Sequence, residues 1–304
     1  MDIKDYLKKY GKQFFISTTY SKRKPLPKNT TKIPKKEEPE TMAPHKPSLI
    51  IEETSRQKHN KTADYEKDFI NCFKKLTYSY NSFNVWSDFV TMFACSISNS
   101  LDKEHFDNRE KMYLQIIKKY KKDEQIIFPE LAAIVIMALE ENQEQDFLGG
   151  IYMKLGLGNK STSQFFTPYH ICQLMAEIII GNITNEVKER GYISINDPCC
   201  GAGATLIAGI NVAKRILEKE NMNYQNHLLI VAQDIDFTVA AMCYIQLSLL
   251  GVAGYVKVGN SLTEPISKND NTENYWFTPM YFSDIWKTRR MLQKLNSMLK
   301  EDSD

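Results

Sequence analysis

The chain changes its hydrophobic pattern near its middle. In the first half, apolar side chains recur at helical spacing, as in Phe69, Phe73 and Leu76. Residues 129–139 are almost all apolar and begin with a proline, which the first turn of a helix tolerates, so they predict a buried helix. These patterns predict a helical domain over residues 63–158.

In the second half, short apolar runs alternate with helical patterns. Strands are predicted at residues 193–196, 228–232 and 255–258. Helices are predicted between them, at residues 204–220 and 237–250. Strands that alternate with helices in this way are typical of βαβ units and a parallel sheet, so the predicted fold class is α/β.

Residues 1–62 have the composition of a disordered basic arm. After a short helix predicted at residues 3–10, six of the chain's 11 prolines lie within residues 21–48, where they prevent regular structure. The arm carries 15 Lys and Arg against 7 Asp and Glu, a net charge of +8, whereas the whole chain carries only +2. A solvated tether is the simpler interpretation. The functional one is a loose, sequence-independent attraction to the phosphates of DNA.

The composition argues against several other classes of protein. Hydrophobic residues make up 42% of the 304 and charged residues 25%, as in soluble globular proteins. No apolar run reaches the roughly 18 residues of a membrane span, so we expect no membrane contact and a cytoplasmic location. The six cysteines form no C-x-x-C pair and the five histidines do not cluster near them, so we expect neither a metal site nor a disulfide framework.

The most informative segment is a glycine turn at residues 197–203, Asp-Pro-Cys-Cys-Gly-Ala-Gly, between the first predicted strand and its helix. Glycines there let a ligand approach the backbone and the free N–H groups of a helix N-terminus. Ile207 and Ala208 occupy the region in which a dinucleotide fingerprint places its third glycine, which argues against NAD or FAD. Asp234 and Asp236 follow the second strand, where a carboxylate can accept both ribose hydroxyls of an adenosine.

Four motifs follow one another along this half of the chain. They are Gln-Phe-Phe-Thr-Pro at 164–168, the glycine turn at 197–203, Gln-Asp-Ile-Asp at 233–236 and Val-Gly-Asn-Ser-Leu at 258–262. In this order they resemble the adenine-N6 DNA methyltransferases, and most nearly the modification subunits of type I restriction–modification systems. An upstream segment at residues 146–152 is similar to the helix that precedes the first motif in those subunits. The resemblance implies a Rossmann-like domain that binds S-adenosylmethionine over residues 159–265.

The resemblance also implies a role for each motif. Thr167 resembles the residue that holds the methionyl carboxylate of S-adenosylmethionine. Asp197, Gly201 and Gly203 resemble the wall around the methionine portion, where the carboxylate pairs with the ammonium group. Asp234 resembles the acid that binds the ribose.

Two more positions complete the implied cofactor site. Ile235 would pack on the face of the adenine. Asn260 stands where the family usually has Asp, and its carbonyl would accept a hydrogen bond from the adenine amino group without charge assistance. This difference predicts weaker cofactor binding.

Structural roles compete for several residues of these motifs. Thr167 and Pro168 are also suited to capping the helix that follows them. Asp236 is interpreted as a helix cap rather than a ligand. Cys199 and Cys200 are interpreted as small apolar packing residues rather than nucleophiles.

The motif that the family uses for catalysis is missing from the sequence. In the family a loop of Asn or Asp, Pro-Pro and Tyr or Phe follows the fourth strand and receives the flipped target adenine. The chain contains no Pro-Pro dipeptide, and the 42 residues after Leu262 are too few for four more strands and their crossovers. No catalytic residue is therefore assigned.

Residues 266–304 are predicted to form an aromatic and helical tail. Its aromatic run, from Tyr275 to Phe282, is predicted to pack over an exposed edge of the sheet. Without such a cover, the apolar edge would promote aggregation. Trp276 and Trp286 are interpreted as core residues or as anchors for a partner.

The leading interpretation is an S-adenosylmethionine-binding protein of the adenine-N6 DNA methyltransferase family, inactive or weak alone, whose protein partner completes the fold or supplies target recognition. The alternative is a non-enzymatic DNA- or protein-binding module descended from such an enzyme. A small-molecule or protein methyltransferase is disfavoured by the Asp-Pro start of the glycine turn and by Gln-Phe-Phe-Thr-Pro. The first two readings differ in whether the cofactor residues face an open cavity or are plugged by Trp276.

Overall fold

The computed structural model describes residues 64–158 and 166–301, which belong to one compact unit. The basic arm predicted at residues 1–62 lies outside the described residues, as do Gln164 and Phe165 of the first motif. Across the two described ranges, no helix combines the length and the hydropathy that a membrane crossing requires.

Residues 64–158 are helical, as the sequence predicts. Their helices are α1 (Tyr65–Thr77), α2 (Ser82–Asn99), α3 (Phe106–Ile117), α4 (Lys122–Gln125), α5 (Ile127–Glu141) and α6 (Phe147–Lys154). Pro129 lies in the first turn of α5, where its missing N–H costs no helical hydrogen bond. An aromatic cluster forms the centre of this layer, in which Phe69 contacts Trp86 and Phe89 edge-on, with ring centroids 5.8 and 5.5 Å away.

Residues 166–301 form an α/β layer. Its elements are α7 (Tyr169–Ile179), α8 (Thr184–Arg190), β1 (Ile193–Asp197), α9 (Ala204–Lys219), β2 (Leu228–Asp234), α10 (Phe237–Leu249), β3 (Ala253–Val258), β4 (Tyr275–Phe277) and α11 (Asp284–Glu301). β1, β2 and β3 are parallel neighbours in that order, with Ile195 opposite Ile230, so the three predicted strands and the α/β class are confirmed. The two layers share one hydrophobic core. The predicted domain boundary after residue 158 adjoins an undescribed segment and stays a prediction.

The predicted aromatic run covers one edge of the sheet, but it does so as a strand. β4 pairs antiparallel with β3, so the sheet is mixed rather than wholly parallel, which corrects the predicted topology. Thr278 fixes the end of β4, because its hydroxyl donates to the carbonyl of Val252 (2.7 Å) and accepts the N–H of Gly254 (3.0 Å). Trp276 and Trp286 are both buried within the chain and are therefore core residues.

A buried cation joins the helical layer to β4. The Arg109 guanidinium donates to the Asp102 carboxylate (2.6 Å) and to the Tyr275 carbonyl (2.5 Å). Its central carbon lies 4.2 Å from the centroid of the Trp276 ring, a cation–π contact. Burial alone would raise the pKa of Asp102, but hydrogen bonds from His105 and Arg109 outweigh it and hold the pKa below its usual range.

A buried amide joins the helical layer to the glycine turn. The amide oxygen of Gln246 accepts the N–H of Leu148 (3.1 Å). Its nitrogen donates to Asp146 (2.8 Å) and to the carbonyl of Ala202 (2.9 Å). Asp146 also accepts the N–H of Gly149 and so caps α6. Burial raises the pKa of Asp146, although the hydrogen bonds from Gln246 and Gly149 oppose the shift.

The other edge of the sheet has no partner strand within residues 64–158 and 166–301. β1 pairs with β2 alone. A groove of about 760 Å³ runs beside it, lined by the end of α7, by α8, by Ser194 and Asn196 of β1 and by Gln293 of α11. An unpaired edge of this kind is a template for another strand.

Replacing Arg109 by Met is expected to destabilise the fold strongly. The substitution leaves the Asp102 carboxylate buried without its cation, and breaking a buried ion pair in this way costs about 3–5 kcal/mol. Urea denaturation measures the free energy of unfolding. Arg190→Met is the matched control, because it removes an exposed pair with Glu186 that is worth about 0.3–0.5 kcal/mol. A loss in the Arg109 variant no larger than in the control would contradict the linking role.

Replacing Asp146 by Asn is expected to change how stability depends on pH. Because the folded-state pKa of Asp146 is raised, its contribution is fully present below the unfolded pKa and is lost as pH rises through the folded pKa. The amide keeps both accepted hydrogen bonds without a buried charge. The variant should therefore be at least as stable as the parent at pH 7, with the difference shrinking towards pH 4.

Thermal unfolding between pH 4 and 8 measures this difference. Glu189→Gln on the exposed face of α8 is the control for the carboxyl-to-amide change. An Asp146 variant whose loss of stability grows as the pH rises from 4 to 8 would show that the charge itself is needed.

Candidate functional site

The predicted site residues converge at the carboxyl ends of β1 and β2. Asp197 is the last residue of β1 and Asp234 is the last of β2. Because the strands are parallel, both ends meet at the same edge of the sheet. The N–H of Cys200 donates to the carbonyl of Gln233 (3.0 Å), which holds the glycine turn against the end of β2.

The glycine turn requires its two glycines. Gly201 and Gly203 have φ of +51° and +96°, in the left-handed region that favours glycine. A Cβ at Gly203 would also lie 2.9 Å from the sulfur of Cys243. α9 begins directly after this turn and no side chain caps it, so its first N–H groups form a dipole site beside the turn.

Asp234 is held in place by the backbone on both sides. One carboxylate oxygen accepts the N–H of Gly201 (2.8 Å), and the other accepts that of Asp236 (3.0 Å). A carboxylate offers about four acceptor positions, so Asp234 keeps further ones for a ligand. Burial raises the pKa of Asp234, and the neighbouring carboxylates of Asp236 and Asp197 raise it further. The two N–H bonds lower it, but they do not cancel the increase.

Asp197 is bonded across the turn to the start of α9. One carboxylate oxygen accepts the N–H of Cys199 (3.0 Å), and the other accepts the hydroxyl of Thr205 (2.5 Å). These bonds fix the carboxylate at the mouth of the turn. The sequence motifs assigned no role to Thr205, although a hydroxyl in the first turn after a glycine motif is a usable signal.

Phe166 brings the first motif to the glycine turn. A Cβ on Gly201 would lie 3.3 Å from its ring, and the ring centroid lies 5.5 Å from that of Tyr152. Thr167 follows directly and is exposed. Pro168 occupies the N-cap position of α7 and no side chain bonds to that first turn, so the Thr167 hydroxyl does not act as the cap.

Of the two side chains predicted to contact adenine, one is exposed and the other already accepts hydrogen bonds. Ile235 is 67% exposed beside the ribose-binding candidate. The side-chain oxygen of Asn260 accepts the N–H groups of Leu262 (2.9 Å) and Thr263 (3.4 Å). The oxygen predicted to face adenine is thus already engaged by its own loop, and its role in binding stays a prediction.

Gln233 has a structural role that its motif did not indicate. This side chain is buried, and its amide donates to the carbonyls of Gly259 (3.2 Å) and Glu264 (2.9 Å). It therefore holds the loop after β3 against the end of β2. A polar residue inside an apolar strand was the available signal, since buried polar groups need partners.

The contacts of Asp236, Cys199 and Cys200 show their structural roles. Asp236 caps α10, because it accepts the N–H of Thr238 (2.7 Å), as predicted. Cys200 is buried, as predicted, but Cys199 is exposed, with its sulfur 3.8 Å from the hydroxyl of Ser261, so the packing role was wrong for it. All six cysteines are free, and the described part of the chain holds no group of three or more candidate metal ligands.

Trp276 packs away from the cofactor candidates. Its ring lies against Phe237 and Tyr244, with centroids 5.7 and 5.5 Å away, in β4, which β2 and β3 separate from β1. Asp197 and Asp234 are half-buried and keep contact with solvent. The arrangement is a cradle with two fixed carboxylates, a close-packed turn and an uncapped helix N-terminus.

Comparison with known protein families places the chain among them. No curated protein matches the chain. The model of the N-6 DNA methylase family matches residues 143–301, a region that holds the glycine turn, both carboxylates and the whole sheet. Since the match spans more than half of the 304 residues, the chain belongs to the N-6 DNA methylase family.

Proposed function

We propose that the chain binds S-adenosylmethionine in a Rossmann-like half-sheet, and that the 304-residue polypeptide does not by itself methylate adenine. The observation that carries the first part is the meeting of Asp197 and Asp234 with the glycine turn at the carboxyl ends of two parallel strands. Family membership supports it, because N-6 DNA methylases use this cofactor.

The residues present fit the cofactor. Asp234 has acceptor positions left for the ribose hydroxyls, and the exposed side chain of Ile235 offers an apolar face for the adenine. Asp197, fixed at the mouth of the turn, suits the methionyl ammonium. The exposed Thr167 and the uncapped N-terminus of α9 suit the carboxylate.

The bound cofactor supplies an electrophilic methyl group, which the family transfers to N6 of adenine. The residues of this chain bind and orient the donor. The target loop with its Pro-Pro dipeptide is absent from the 304 residues, and β1 has a free edge in the part of the chain that the structure describes. A partner polypeptide that adds a strand to this edge would bring the target-binding groups beside Asp197.

Contact with DNA is the other part of this proposal. The arm at residues 1–62, with a net charge of +8, suits loose binding to phosphates that weakens with salt. A restriction–modification system is the setting that the resemblance suggests.

A non-enzymatic binding module is the second candidate. The free edge of β1 favours it, since that edge serves a protein contact whether or not a methyl group is transferred. The packing of Trp276 away from the predicted cofactor-binding residues favours the first candidate, an S-adenosylmethionine-binding protein. Only the first requires the cofactor to bind.

Isothermal titration with S-adenosylmethionine tests the binding site. Asp234→Ala should weaken binding roughly 10–100-fold, the equivalent of the 1.5–3 kcal/mol of a hydrogen bond to a charged group. Glu189→Ala, an exposed carboxylate on α8, is the control and should bind as the parent does. Melting temperatures check that each variant is folded. Absence of binding by the parent chain would overturn the proposal in favour of the module.

Transfer of a labelled methyl group to adenine-containing DNA tests the second part. The purified 304-residue chain, saturated with S-adenosylmethionine, should give only background incorporation, because it contains no Pro-Pro loop for the flipped base. A complete N-6 DNA methylase assayed in parallel is the positive control. Methylation by the chain at a comparable rate would contradict the proposal.

A further inference from the structure

Helix α7 has two apolar faces, and only one of them is covered. Cys172 and Ala176 pack against α9 and are buried. The opposite face carries the α7 stripe: Ile171 (40% exposed), Leu174 (59%), Met175 (42%), Ile178 (74%) and Ile179 (73%). These positions follow the spacing of a packed helix face. Single exposed apolar residues are ordinary, but a contiguous stripe of five marks a contact surface.

The chain contains a segment with a matching pattern outside the described residues. Ile3, Leu7, Tyr10 and Phe14 recur at spacings of four, three and four, the repeat by which two helices pack along one seam. This segment includes the short helix predicted at residues 3–10. Lysines occupy the positions between the apolar ones.

The remaining arm joins the folded body at the start of α1. Burial, followed by the neighbouring carboxylate of Glu141 at the end of α5, raises the pKa of Tyr65 there. Three residues further on, Glu144 pairs with Arg215 of α9 (2.7 Å), and Arg215 also pairs with Glu177 of α7. These contacts connect the entry point of the arm to α7.

The length of the arm allows the contact. Forty-nine residues separate Phe14 from Asp64. A flexible chain of that length has a root-mean-square reach of roughly 40 Å, comparable with the roughly 45 Å diameter of a folded body of about 230 residues. Tethering also gives the segment a high local concentration at any site within reach.

The tether favours the arm over a second copy of the chain as the occupant. Residues 2–12 contain four lysines and two aspartates, a net charge of +2. Glu177 of α7 and Glu186 of α8 are already paired with Arg215 and Arg190 in exposed ion pairs, so charge contributes little to the choice. A second copy lacks the local concentration that the tether gives to residues 3–14.

We propose that residues 3–14 pack as an amphipathic helix on the α7 stripe. The contact closes the proline- and lysine-rich stretch into a loop that starts and ends on the folded body. It needs no cofactor and no methyl transfer, so it stands or falls independently of the proposed function.

Hydrogen exchange of α7 tests this contact. The full chain is compared with a chain that starts at Ala63 and keeps every residue that the structure describes. Amides of residues 169–179 should exchange at least several-fold more slowly in the full chain. A peptide of residues 1–15 added to the truncated chain should restore the protection in a saturable way.

Two matched double variants identify the face that binds. Leu7→Gln with Tyr10→Gln removes the apolar seam and should raise exchange in α7 to the level of the truncated chain. Lys8→Gln with Lys12→Gln changes the opposite side and should leave most of the protection. If the lysine variant releases α7 and the apolar variant does not, the contact is electrostatic and the proposed seam is wrong.

Three other results would overturn the proposal. One is equal exchange of α7 in the full and truncated chains. Another is a dimer in sedimentation experiments that protects α7 without residues 1–62, which would make a second copy the occupant. The third is protection that arises only when DNA is added.

Discussion

The side-chain amide of Gln246 is the contact on which the geometry of the candidate site depends. It bonds to Leu148 and Asp146 at the start of α6 and to Ala202 inside the glycine turn. The bonds to Leu148 and Ala202 are buried and the bond to Asp146 is half-buried, and a buried polar group left without a partner costs about 1–3 kcal/mol. The glycine turn in turn orients the N-terminus of α9 and bonds to Asp234. The helical layer therefore positions the ligand cradle, although it contributes none of its predicted ligand-binding side chains.

The main elements of the fold could be predicted because their patterns are local. Apolar runs and helical periodicity located β1, β2 and β3 with the helices between them, and glycines marked the turns. β4 was not predicted as a strand because three aromatic residues carry no alternation. Its pairing depends on the edge of β3 and on the bonds that Thr278 makes there. The ion pair of Arg109 with Asp102 could not be predicted either, because the sequence around each residue does not indicate that both are buried.

The parts of the candidate site that depend on backbone geometry could be predicted from the sequence. The positions of Asp197 and Asp234 follow from parallel strands, and the glycines follow from the turn. Side-chain bonding was harder to predict, because it is decided by neighbours. Asn260 bonds to its own loop, and Gln233 holds the loop after β3. A motif identifies a residue, but it does not show which atoms of that residue already form hydrogen bonds within the protein.

The bond between Arg109 and Tyr275 has a consequence for synthesis of the chain. The two residues lie 166 positions apart. At about 5–20 residues per second, a ribosome needs roughly 10–30 s to make the intervening chain. Throughout that interval Arg109 lacks its last acceptor. At the end of the interval, while residues 259–275 are made, the edge of β3 has no strand to cover it. The nascent protein therefore passes through a state with an open sheet edge. An exposed edge promotes aggregation and provides a surface that chaperones can bind.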